Sequence, residues 1–183
     1  MIALEDDITE IANNRILKTT RWLVYLIMGL IALAGTVLTF VSVILPFYWT
    51  EAAASIAKEY PSMDAAALYP KLYIIFALGI LLLGIVWTVM RKLSAIIRSV
   101  EDGNPFVVAN AVRLKAIGWL MVAVQIIGIP LAIAAREAAD LFGENNVDLD
   151  ISLNGILSIL LVFVLAGIFE RGAEMREELE GTV

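Results

Sequence analysis

The sequence predicts an all-α integral membrane protein: a four-helix transmembrane bundle with both termini cytoplasmic and a helical hairpin projecting into the cytoplasm between spans 2 and 3. Three observations carry this reading. Of 183 residues, 61% are hydrophobic and 17% charged, against roughly 45–50% and about 25% in an ordinary soluble domain. Four uncharged runs, 22–50, 72–90, 116–135 and 151–169, meet or approach the roughly 20 apolar residues that cross a hydrocarbon core. Ten of the thirteen Lys and Arg fall in the N-terminal segment, the second connection and the C-terminal tail, and positive residues mark the cytoplasmic side.

The chain divides into a cytoplasmic amphipathic segment 1–21, span 22–47, outer loop 48–71, span 72–90, cytoplasmic hairpin 91–115, span 116–135, outer loop 136–150, span 151–169 and cytoplasmic tail 170–183. The opening segment places Leu4, Ile8, Ile11, Ala12 and Ile16 on one helix face, as expected of a surface helix that turns into the span. Its acidic residues and the length of the first run speak against a cleaved leader. Aromatic residues gather at span ends, with Trp22 and Tyr25 inside and Phe47, Tyr48 and Trp49 outside, as in the belts that anchor helices at headgroup level. The first outer loop reads as a short alanine-rich helix stopped by Pro61, then a turn or two from Asp64 to Pro70.

The second connection is the richest. Residues 91–100 continue span 2, and Gly103 suits a left-handed stop. Asn104 and Pro105 then suit an N-cap and a first helical position. Arg91, Lys92, Arg98, Arg113 and Lys115 surround its base. They set topology and attract anionic lipid, or they form a docking surface for an acidic partner or for the chain's own tail. That tail carries Glu170, Glu174, Glu177, Glu178 and Glu180 and continues span 4 as a helix ending near Gly181. Within the spans, Gln125 is the amide near a midplane, suited to an interhelical contact. Pro130 is expected to kink span 3 and Pro46 to end span 1.

Several function classes are excluded. Without Cys or His there is no disulfide scaffold, thiol redox pair, His/Cys zinc site or Ser-His nucleophile. A net charge of −6 argues against direct nucleic-acid binding. Catalysis would need surface carboxylates such as Glu101, Asp102, Glu170 and Glu174, and solvated acids explain these as well, so the chain reads as a non-enzyme with no cofactor. The acids of 136–150 include a weak calcium pattern at Glu144, Asn146, Asp148 and Asp150, whose spacing fits no known calcium loop.

The run Gly103-Asn104-Pro105-Phe106, then Asn110, Arg113-Leu114 and Gly118, resembles the central signature of the YoaS-like bacterial membrane proteins, a family of unknown function. The ending, with Phe169, Gly172 and the closing Gly181-Thr182-Val183, is similar to theirs. The resemblance implies four inner-membrane spans, no established activity and a genomic neighbour that is a small helix-turn-helix regulator. By that implication the chain tethers or restrains a transcriptional regulator. The candidate partner-binding residues are thus Arg91, Lys92, Arg98, Asn104, Pro105, Phe106, Asn110, Arg113, Lys115, Glu174, Glu178, Gly181, Thr182 and Val183. A homo-oligomeric transporter or channel subunit is the rival reading.

Overall fold

The computed structural model describes residues 2–61, 63–143 and 153–181; the side chains of 2–14, 16, 180 and 181 are outside the description. Every element among the described residues is helical: α1 (Ile2–Glu59), α2 (Ala65–Glu101), α3 (Val108–Asp140) and α4 (Leu153–Gly181). All four are long and apolar enough to cross a membrane. Their central stretches are almost wholly unburied, as expected where lipid rather than water is the solvent.

The helix boundaries depart from the expected ones. No turn separates segment 1–21 from span 1, because α1 runs unbroken from Ile2 to Glu59. No glycine or proline interrupts residues 2–28, and extending an existing helix is far easier than nucleating a new one. Pro46 lies inside α1 rather than ending it. A proline cannot donate to the carbonyl four residues back, here that of Ser42. The Tyr73 hydroxyl of α2 donates to that carbonyl instead, at 3.0 Å, so the orphaned acceptor becomes a tie between helices. The loop expected over 48–71 shrinks to the few residues between Glu59 and Ala65. Asp64 caps α2 through a hydrogen bond that its Oδ1 accepts from the Ala66 amide (2.9 Å). Pro70 sits within α2, and Pro130 within an unbroken α3.

The helices lie in an open row rather than a closed bundle. Sequence neighbours pack in antiparallel pairs, but among the described residues no Cα of α1 comes within 8 Å of α3 or α4, and none of α2 within 8 Å of α4. In hydrocarbon nothing drives apolar faces together as water does, so a row need not close. At one end Met63, Leu68 and Ala138 form a small core, extended by an edge-to-face contact between Tyr60 and Phe142 and an ion pair of Lys71 with Glu137. At the other end Ile96, Leu114, Ile117 and Ala166 form a second core, with Phe169 packed against it. This second end, where α2 turns into α3, also holds the Arg21 part of α1 and the last turns of α4.

Candidate functional site

The α2–α3 turn is built by a glycine. Gly103 has φ +74°, a left-handed conformation that a Cβ penalises. Its amide donates to Val100 O (3.1 Å) and that of Asn104 to Ser99 O (2.9 Å). These are the paired closures of a Schellman stop. Asn104 closes this stop, and neither it nor Pro105 starts the next helix. The N-cap of α3 is Val107, extended at φ −120° and ψ 145° with no side-chain cap. This displaces the expected Asn104 cap and Pro105 first position by three residues.

Asn110 holds that turn from below. It is fully buried, at 0% exposure. Its Nδ2 donates to Ser99 Oγ and to Pro105 O, the latter at 2.8 Å, while Arg113 Nη1 donates to its Oδ1 at 2.7 Å. A side chain with no accessible surface cannot meet a partner, so Asn110 is a staple of the fold and not part of a docking surface. Arg113 is half-buried and directed inward by the same network.

The turn packs on α4. Phe106 lies 5.3 Å from Phe169, centroid to centroid, and directly over Gly172, where an added Cβ would stand 2.6 Å from the Phe106 ring. Only glycine permits that approach. Lys115 pairs with Glu170 at 2.6 Å, so the basic base of the hairpin does meet the acidic start of the tail. Both side chains are near half exposed, and such pairs contribute about 0–1 kcal/mol. On the other flank, Arg21 of α1 pairs with Glu101 at 2.6 Å, leaving Glu101 Oε1 buried without a partner among the described residues. Arg98 donates to the Tyr25 hydroxyl, which raises the guanidinium's pKa above its ordinary value. The sequence places Arg21 and Tyr25 on this side, but they and Ser99 stand outside the candidate partner-binding residues. Their partners are 11 to 80 positions away, a distance that helical periodicity does not bridge.

The remaining candidates scatter. Arg91, Asn104, Glu174 and Glu178 are exposed and Lys92 is half-buried. Gly181 is the last residue of α4, and Thr182 and Val183 lie outside the described residues. So do the acids from Glu144 to Asp150 that carried the calcium pattern. Among the described residues no three acidic side chains come together as a metal site would require. Glu101 and Glu170, two of the four carboxylates considered for catalysis, are both held in ion pairs. Gln125 lies against Gly155 of α4.

An exposed apolar patch remains at this end. Phe106, Val108 and Val112 are 43%, 51% and 60% exposed. A cleft of about 240 Å³ runs from Phe106 and Val108 to Arg176 and Glu177 of α4.

The turn, its staple and the glycine under Phe106 all fall within the stretch that a family model matches, residues 51–183, described as "Protein of unknown function (DUF2975)". The chain belongs to this DUF2975 family. No curated protein and no solved structure matches it. The DUF2975 match takes in α2, α3 and α4 but only the end of α1 from Glu51. The matched stretch thus contains the turn and the α4 residues packed on it, and the α1 span lies outside the match.

Proposed function

We propose that this DUF2975 protein is a non-enzymatic regulatory or scaffolding protein of the bacterial inner membrane, with both termini cytoplasmic. It docks a soluble partner on the turn end. The observation that carries this reading is the patch of Phe106, Val108 and Val112 beside the cleft to Arg176 and Glu177. It sits beyond the predicted span 116–135, on the side that the positive residues assign to the cytoplasm. Apolar side chains exposed to water and rimmed by charge are typical of binding surfaces. The resemblance to YoaS-like proteins suggests a helix-turn-helix transcriptional regulator as the partner, held by the membrane protein and not by DNA contacts of this chain.

Arg98 and Arg113 are unsuitable for testing the surface, since both hold other residues of the fold. Val108→Glu with Val112→Glu alters the surface alone. Co-purification of the neighbouring regulator from membranes should fall at least tenfold with this pair while the amount of membrane protein stays constant. Undiminished recovery refutes the docking surface. Reporter tags at the two ends should respond from the same compartment.

A second reading, a subunit of an oligomeric transporter or channel, draws on one specific feature. The open row leaves a groove of about 680 Å³ between α1 and α2, walled by Gly35, Thr36, Leu83 and Gly84. Closure against other copies would cover it. Native mass spectrometry in mild detergent separates the two readings: monomer alone speaks against the second.

A further inference from the structure

Gln125 falls at the middle of the apolar run 116–135, where an amide without a partner is unfavourable. It is not tied to the neighbouring helix: among the described residues its amide has no hydrogen-bond partner. The nitrogen is turned onto Gly155, where an added Cβ would stand 1.7 Å from Nε2 but 3.6 Å from Oε1. The carbonyl oxygen is directed away from that glycine.

Gln125 and Gly155 line a cavity of about 290 Å³ between α2, α3 and α4, otherwise walled by residues such as Val86, Val89, Met121 and Ser158. Ser158 is exposed, so the cavity opens sideways into lipid. The Ser158 hydroxyl already donates to Asn154 O at 2.7 Å, so it has only lone pairs to offer. The two polar groups of an otherwise apolar chamber thus both present acceptors.

We propose that this cavity binds the hydroxyl end of a lipid-soluble alcohol, whose single proton is donated to Gln125 Oε1. The physical basis is selective. A hydroxyl at this depth finds no acceptor in hydrocarbon, while an alkane or ester chain gains nothing from this oxygen. The site lies at mid-membrane, away from the turn end, and stands or falls independently of partner docking.

Two probes that differ by one hydroxyl test it: 1-decanol and decane at equal mole fraction in nanodiscs holding the full chain, with thermal unfolding followed by tryptophan fluorescence. Decanol should raise Tm by about 2–4 °C more than decane, the shift expected of modest ligand binding to a chain of this size. Gln125→Leu should abolish the difference and, without additive, unfold no lower than the wild type, because it removes an unpartnered amide. Ser158→Ala, which leaves the accepting carbonyl in place, should keep the difference. Equal shifts from the two probes, a difference that survives Gln125→Leu, a difference lost in Ser158→Ala, or a Gln125→Leu protein that fails to fold would each overturn the proposal. The last would show that the amide ties helices together.

Discussion

Replacing Asn110 by alanine tests whether the turn is a staple or a contact surface. The substitution removes two donations from Nδ2, to Ser99 Oγ and Pro105 O, and one acceptance from Arg113. Ser99 keeps its own donation to Ile96 O at 2.7 Å, so it is left least unsatisfied. The two neutral bonds are each worth about 0.5–1.5 kcal/mol, and the one to the guanidinium about 1.5–3 kcal/mol. Arg113 and Pro105 are half-buried and regain some water, which offsets part of the loss. A net destabilisation of about 3 kcal/mol follows. For a chain of this length that lowers Tm by about 6–12 °C. Unfolding in detergent, read by tryptophan fluorescence, measures it. Limited proteolysis at 102–107 should accelerate in parallel. If Asn110→Ala unfolds within about 1 °C of wild type, a shift well under 1 kcal/mol, while partner recovery collapses, then Asn110 is a recognition residue and the structural argument is wrong.

Three further outcomes follow from the same geometry. Gly172→Ala brings a methyl to 2.6 Å from the Phe106 ring; overpacking of this kind costs about 1–3 kcal/mol, and Phe106→Ala in the same chain should recover part of it, as a double-mutant cycle would show. Gly103→Ala forces a Cβ into φ +74° and should cost about 1–2 kcal/mol, measured by thermal unfolding, whereas the open space around it predicts no packing penalty. Tyr73→Phe strips the hydroxyl that satisfies Ser42 O beside Pro46 and should cost about 1 kcal/mol; in a Pro46→Ala background the restored amide serves that carbonyl, so the cost should vanish, and an equal cost in both backgrounds refutes the link.

The expected and observed folds agree where composition changes abruptly. Charges bound the apolar runs, and Gly103 and the tail helix ending at Gly181 stand where the sequence places them. The misplaced boundaries share one cause. Pro46, Pro70 and the Asn104-Pro105 pair were all read as local punctuation, yet each is overridden by a contact or a continuation that local rules omit. Tyr73 supplies the bond that Pro46 forfeits. Asn104 completes the Schellman closure of α2, and the cap of α3 falls three residues later, on Val107. Local propensity sets what a residue can do, and the next helix decides which option is used.

The open row was illegible for a different reason. In a soluble helix the polar stripe names the outer face, and the apolar stripe names the inner one. Here Leu30, Leu33 and Val37 of α1 and Leu157, Leu161 and Val164 of α4 face outward, and nothing in their chemistry separates them from the buried Ile96, Leu114 and Ile117. When both solvents are greasy, hydrophobicity carries no directional information. Direction survives only in the exceptions: a glycine beneath an aromatic ring, a proline whose lost bond must be replaced, an amide set in the middle of an apolar run. Gly172, Pro46 and Gln125 are such exceptions, and they mark the helix pairings and the candidate ligand cavity that the periodicity of the spans leaves blank.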